Sequence, residues 1–475
     1  MSVKYTQSYT SICDISGAAI GQTLIVGGWV RTCRIQTAIG FIEVFDGSSA
    51  KTLQCVTENP ELLTILKSVS VGAAVLFQGT LVESPVRGQA FELRITEIKH
   101  IGPIADPCTY LLNSKKLGLD TLRENQHLRP KTRAFNSIFR IRAGLMHATH
   151  AFFKRHGFNY LNPNIVTTSD CEGAGEVFTI TNLFKKAPAD LVKAGAYDFS
   201  ADFFQKQAYL TVSSQLQLEL LCAGLGKVWT SNKSFRAEHS KSNRHLAEFE
   251  HIEWEFAYVS LDQLMDFSEE YTQTCFRYVL TEHAHDLIEL DKFISKGIME
   301  KLARFAENTY ARITYDAAVG MIAEHADAIK AKYGLSVLPA WGDDLGSQCE
   351  QYICEVLTGK PTFVYNYPKD LKSFYMKANS DGRTVQACDL LIPGLGELIG
   401  SSVREEDYNK LCAVMTERKM DAGKLEWYTE IRKNGTFPHA GAGLGFDRLV
   451  SVCCLMGGNI RDVVPFPVSY QECRF

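Results

Sequence analysis

The chain predicts an α+β fold in two parts, a small five-stranded β-barrel followed by a larger domain of paired strands and helices. Three observations predict it. Residues 1–103 hold five short β-rich runs around one short helical stretch. A long amphipathic helix pattern opens near Ala134. Two later stretches, Lys227 to Tyr258 and Val385 to Arg404, each read as a strand, a loop or turn, and a returning strand.

In the first part, TLIVGGWVR (Thr23 to Arg31) is the opening strand. GFIEVF (Gly40 to Phe45) alternates and stops at the turn pair Asp46-Gly47, and KTLQCV (Lys51 to Val56) returns. Leu62 to Val69 predicts a short helix, and Ala74 to Glu83 and Phe91 to Ile98 two more strands, with Ser84-Pro85 and Arg87-Gly88 in the loop between. Five strands with a helix after the third predict a Greek-key barrel of the OB type over residues 1–103. Such barrels often bind single-stranded nucleic acid on one face. With eight basic and eight acidic residues the segment is neutral, so a non-binding barrel stays open.

Residues 104–133 read as a basic linker, with Lys115, Lys116, Arg123, Arg129, Lys131 and Arg133 against three acids. It suits a phosphate backbone or is simply solvated. Residues 134–475 form the larger domain. Its first helix carries an apolar face (Phe135, Ile138, Phe139, Leu145, Phe152, Phe153) and should stop at Gly157, before an extended run leading to Pro163. Leu261 to Ala340 reads as a mostly helical insertion without chemistry, its His283 and His285 as solvated helix residues.

Composition bounds the function. At 475 residues the chain is long enough for two to four domains and needs no disulfide or metal staple. No run of about 18 apolar residues appears, which excludes a membrane-spanning helix. Met1 to Thr10 is polar without a leader pattern, so the expected location is cytoplasmic. The fourteen cysteines form no C-x-x-C and read as free buried thiols. A formal charge of −4 excludes a protein that coats nucleic acid, DNA included, and leaves RNA contact to local patches.

Chemistry concentrates in three stretches. Period two places Phe249, His251, Glu253 and Glu255 on one strand face and Glu250, Ile252, Trp254 and Phe256 on the other. Arg236 and Glu238 share a face on the preceding strand. Two acids and a His cannot pack into an apolar core, so the set predicts a polar cleft. In VQACDLLIPGLGELIGSSVR, Asp389 and Glu397 lie four positions either side of Pro393, and a hairpin could set them opposite one another. Facing carboxylates repel unless a cation sits between, which suggests Mg²⁺ shared with a phosphate substrate; two exposed turn-flanking acids are the alternative. In GAGLGFDRLVSVCCLM, a Gly-rich run enters a helix with Arg448 in its first turn, where backbone N–H groups attract anions. It is neither a Walker P-loop nor a dinucleotide fingerprint.

These strings together resemble the class II aminoacyl-tRNA synthetases of the aspartyl, asparaginyl and lysyl subgroup, and within it the asparaginyl-tRNA synthetase family. Ala134 to Pro163 resembles motif 1, FRAE…RHLAEF (Phe235 to Phe249) motif 2, and GLGFDR (Gly443 to Arg448) motif 3. YLTVS-x-QL at Tyr209 to Leu216, DLLIPGLGELIG at Asp389 to Gly400 and NIRDVVPFP at Asn459 to Pro467 mark the subgroup.

The resemblance implies a class II catalytic domain, an antiparallel sheet flanked by helices, behind an anticodon-binding OB-fold. It implies an asparagine–tRNA ligase using ATP and Mg²⁺, with tRNA(Asn) as partner, dimerised through motif 1 and Pro163. By resemblance Arg236 holds the α-phosphate, Phe249 stacks on adenine, and Glu238 contacts adenine or the tRNA end. His245 and Arg448 reach the outer phosphates, and Asp389 and Glu397 hold Mg²⁺. Glu172, Ser213 and Gln215 surround the amino acid. Glu253 and Arg404 read its carboxamide, and Phe41 and Gln54 meet anticodon bases. Ser214, Trp254, Ser401 and Val468 depart from the family pattern without removing a principal catalytic group. Rival readings are an aspartyl-tRNA synthetase of relaxed tRNA choice and a non-catalytic RNA-binding relative.

Overall fold

The computed structural model describes residues 8–86, 89–114, 117–169, 176–185, 192–193 and 196–475. Alternation closes the first five strands on themselves. β1 (Thr23–Ile35), β2 (Gly40–Phe45), β3 (Leu53–Thr57), β4 (Ala74–Glu83) and β5 (Phe91–Gly102) form a barrel in the order β1-β2-β3-β5-β4. Val26, Ile42, Val44, Phe77 and Leu93 fill it. The helix after β3, α1 (Pro60–Leu66), starts earlier than its apolar pattern suggests. Asn59 caps it by accepting from the Glu61 and Leu62 amides, and Pro60 fits the first turn. The register pairs Phe41 with Val56 and Glu43 with Gln54, which puts Phe41 and Gln54 on the same face, opposite the core.

The barrel unit continues to Arg142 and takes in His283–Lys296. Here the basic linker is not solvated throughout. Arg129 is fully buried, its guanidinium 4.6 Å from the Phe135 ring, so it cannot serve a phosphate backbone. Lys131 is half-buried, and its ammonium is shifted down by burial. Lys115 and Lys116 lie outside the described residues. His283 is not a solvated helix residue either: its Nδ1 lies 3.1 Å from Asp286, which in turn accepts from Arg140 at 2.5 Å.

The second unit is built on an eight-stranded sheet: β6 (Asn159–Tyr160), β7 (Lys227–Phe235), β8 (Glu248–Ala257), β9 (Ala311–Thr314), β10 (Thr362–Tyr365), β11 (Ala387–Ile392), β12 (Gly396–Val403) and β13 (His439–Gly445). Their order is β9-β10-β11-β12-β13-β8-β7-β6. Only the two end pairs are parallel; the six central strands run antiparallel. The insertion is thus not purely helical, since β9 falls inside it and extends the sheet edge. The long helix α2 (Arg133–Arg155) ends two residues before Gly157, whose φ of +76° takes the chain out of the helix. Phe153 of α2 stacks on Trp229 at 4.5 Å, and with Phe267 and Tyr271 it covers Trp254, so the apolar face of β8 is sealed. The opposite, polar face stays open.

Candidate active site

Two adjoining cavities, of 130 and 250 Å³, lie on that polar face. Arg236, His251, Glu397 and Gly443 line both, so the cavities meet there. The central strands β8 and β13 approach closely at glycines. A Cβ on Gly443 would lie 2.6 Å from His251 Nε2, and one on Gly441 would lie 2.1 Å from Glu255 Oε1. The Gly-rich run therefore exists to admit side chains from the neighbouring strand.

The smaller cavity is cationic and aromatic. Arg236 sits just past β7, its Nη1 4.0 Å from Glu238 Oε1 and its guanidinium carbon 5.5 Å from the Phe249 ring. His245 Nε2 lies 3.6 Å from Glu238, and burial shifts the imidazole down, with Glu238 opposing. Arg448 enters in the first turn of α4 (Phe446–Leu455) and donates from Nη1 to the Glu397 carbonyl at 2.9 Å. Arg244, which the sequence reading left without a role, donates to the Leu395 carbonyl at 2.9 Å and also lines this cavity. An aromatic plate and three guanidinium groups suit a base and a polyphosphate chain.

The carboxylate pair sits where the cavities join, though not as a simple hairpin would place it. In the ladder Asp389 faces Gly400, and Leu391 faces Glu397, with a bulge at Leu398. The extra residue re-aims Glu397, so both acids flank Gly400. A Cβ there would lie 3.3 Å from Glu397 Oε1 and 3.7 Å from Asp389 Oδ1. Burial raises the Asp389 carboxyl, with Lys372, 2.5 Å away, opposing. Burial and then the charges of Glu397 and Asp389 push the neighbouring Glu350 up to about 7. Glu397 is lowered instead, burial being outweighed by Arg448 and then Lys372. Two adjacent carboxylates with hard oxygen donors fit a divalent cation such as Mg²⁺.

The larger cavity is lined by Ser213, Gln215, Glu253, Glu255, Tyr375, Ser401 and Arg404, among others. Here the structure refines the sequence reading. Arg404 is not free for substrate alone but is held by a neighbouring acid. Its Nε and Nη2 donate to Glu255, and Nη1 donates to Ser402 Oγ at 2.6 Å. Glu253 instead accepts from the Ser213 hydroxyl and, at 2.9 Å, from the Ser214 amide. Ser401 donates to the Cys388 carbonyl at 2.8 Å, and Ser214 Oγ accepts from Asn232. Trp254 is fully buried behind the site. Glu172 lies outside the described residues. Pro163 accepts from Asn232 Nδ2 through its carbonyl at 2.9 Å.

Sequence reading missed what stands behind this cavity. Glu219, on α3 (Gln215–Leu225), is fully buried. Its carboxylate accepts from Arg432, from Tyr428 Oη at 2.8 Å and from Gln215 Nε2 at 3.1 Å, and lies 3.0 Å from His439 Nε2. Burial alone would raise this carboxyl, but Arg432, then His439 and Arg404, hold it well below the ordinary range. The available signal was a lone acid inside the apolar run QLQLELL, which must find a partner.

Residues 118–470 match the family model for tRNA synthetases class II (D, K and N), and residues 24–101 match the OB-fold nucleic acid binding domain. The chain is 41% identical over 463 residues to an asparagine–tRNA ligase of Picosynechococcus, covering 97% of this chain and 99% of that one. It is 42% identical over 464 residues to one of Cytophaga hutchinsonii, covering 97% of each. Among solved structures, the asparaginyl-tRNA synthetase of Pyrococcus horikoshii complexed with asparaginyl-adenylate superposes with a TM-score of 0.83 at 29% identity, covering 98% of this chain and 99% of that one. That of Entamoeba histolytica in complex with asparaginyl-adenylate gives 0.81 at 25%, covering 99% and 100%.

Proposed function

The chain belongs to the class II tRNA synthetases of the D, K and N group, and we propose on that footing that it is a cytoplasmic asparagine–tRNA ligase. It activates asparagine with ATP and transfers it to tRNA(Asn). The observation that carries this reading is the junction of the two cavities at Arg236. A nucleotide in the cationic, aromatic cavity and an amino acid in the other bring the α-phosphate and the α-carboxylate together beside that guanidinium.

In the first step a carboxylate oxygen of asparagine attacks the α-phosphorus and pyrophosphate leaves. Arg236 donates to the α-phosphate as charge builds on its oxygens, Phe249 supports the adenine, and Arg244, His245 and Arg448 hold the outer phosphates. Asp389 and Glu397 would hold Mg²⁺, which when bound neutralises phosphate charge. Ser213, Gln215, Glu253 and Arg404 line the amino-acid side. In the second step the terminal ribose hydroxyl of the tRNA attacks the acyl carbon and AMP leaves. The barrel, with Phe41 and Gln54 on one face, takes the anticodon.

The α2 helix and the run through the edge strand β6 to Pro163 form the proposed homodimer face, where Tyr160 is 42% exposed. Sedimentation should give a dimer. Against the rival readings, the relatives at about 40% identity are asparagine–tRNA ligases, and Arg236, Arg448 and both acids are present. The test is ATP–pyrophosphate exchange. It should depend on asparagine, and exchange supported by aspartate alone would refute the proposal.

A further inference from the structure

Arg404 presents a problem of charge. A bare guanidinium on the wall of an amino-acid cavity would favour aspartate, whose side chain is an anion, over asparagine. The structure removes that preference from behind. Both oxygens of Glu255 face Arg404 donors, Oε1 receiving Nε and Nη2 and Oε2 lying 3.4 Å from Nε. Glu219 Oε1 lies 3.8 Å from Arg404 Nε on the other side. Glu219 Oε2 in turn pairs with Arg432. All four side chains are at most 3% exposed. Two cations thus balance two anions, with the buried His439 ring against Glu219 Oε2 as the fifth member of the cluster, and Glu253 adds a further carboxylate to the cavity wall.

Glu219 does not line the cavity, yet Oε1 touches or approaches two residues that do, Gln215 and Arg404. We propose that Glu219 is a positioning residue for amino-acid selection: it neutralises Arg404 from outside the cavity and so denies an anionic side chain its counter-charge, while leaving guanidinium N–H groups for a neutral carboxamide. This rests on the reading that the cavity holds asparagine. An incoming amide leaves the charge balance unchanged. An incoming carboxylate adds an uncompensated charge beside Glu253 and Glu255, which is disfavoured.

The experiment is exchange kinetics with asparagine and with aspartate at pH 8, where Glu255 is above its value of about 7. Glu219→Gln, which leaves the set one positive charge in excess, should narrow the kcat/KM preference for asparagine by at least about tenfold, equivalent to about 1.4 kcal/mol, with the KM for ATP unmoved. Arg432→Gln, one negative charge in excess, should widen the preference. The double variant is again neutral and should return towards the wild-type ratio. A purely structural Glu219 would instead weaken both amino acids alike, with the double variant worse than either single, and that result overturns the proposal. If Glu219→Gln does not fold by thermal melting, Arg432→Gln decides, and an unchanged or smaller preference overturns it. A wild-type protein that activates no asparagine would instead overturn the reading of the activity.

Discussion

Replacing Arg236 with Ala separates catalysis from stability most sharply. The side chain retains 32% of its exposure, and its ion pair with Glu238 spans 4.0 Å. Exposed pairs of that kind contribute about 0.2–1 kcal/mol, so the variant should melt within about 3 °C of the parent. The phosphate contact is another matter. A donor that strengthens its bond as charge develops on the phosphate is worth about 3–4 kcal/mol, or about 10²–10³ in rate. Asparagine-dependent pyrophosphate exchange should fall by that factor, while the melting curve hardly moves. Arg236→Lys should recover part of the loss, because it restores the charge but not the two-pronged geometry. Exchange near the parent rate in a folded Arg236→Ala protein would refute the placement of the α-phosphate at the cavity junction.

Further predictions concern the barrel, the carboxylate pair and the amino-acid cavity. Phe41→Ala should weaken tRNA charging by about 1–3 kcal/mol in kcat/KM through lost base stacking, with tRNA-independent exchange unchanged; equal loss in both assays would indicate misfolding. Gly400→Ala would set a methyl 3.3 Å from Glu397 and 3.7 Å from Asp389, and the Mg²⁺ concentration for half-maximal exchange should rise about tenfold. An unaltered Mg²⁺ curve would remove these acids from the metal site. Burial, opposed by Arg404, pushes Glu255 from 4.5 up to about 7, and Arg404, Glu219, His439 and Cys222 are the charged or titratable groups around it. Since the folded value is raised, the stability that Glu255 contributes is full below about 4.5 and is lost as pH rises through about 7. Protonation also releases Arg404, so the asparagine preference should shrink as pH falls from 8 to 6, and a flat ratio would contradict this.

Periodicity made much of this legible. Alternation placed all five barrel strands, because a strand with one buried face must alternate. It also put His251, Glu253 and Glu255 on one face and Trp254 on the other, as observed. Period two gives a face but not a depth, however. It could not tell that Glu255, rather than Glu253, meets Arg404. That choice depends on Gly441, whose missing Cβ leaves the space Glu255 occupies. The bulge at Leu398 was equally hidden, since one extra residue in a strand leaves no compositional trace. Glu219, Arg404, Arg432 and His439 come from four separate segments, and only the folded sheet and helices bring them together. Arg129 counted as a linker charge because local composition cannot report burial.

Aminoacylation of tRNA(Asn) by the purified full chain, with labelled asparagine or labelled aspartate in the presence of ATP and Mg²⁺, decides the activity. Charging with asparagine, dependent on ATP, is expected, with aspartate rejected. Charging with aspartate at a comparable rate, or formation of adenylate without transfer to tRNA(Asn), would contradict it.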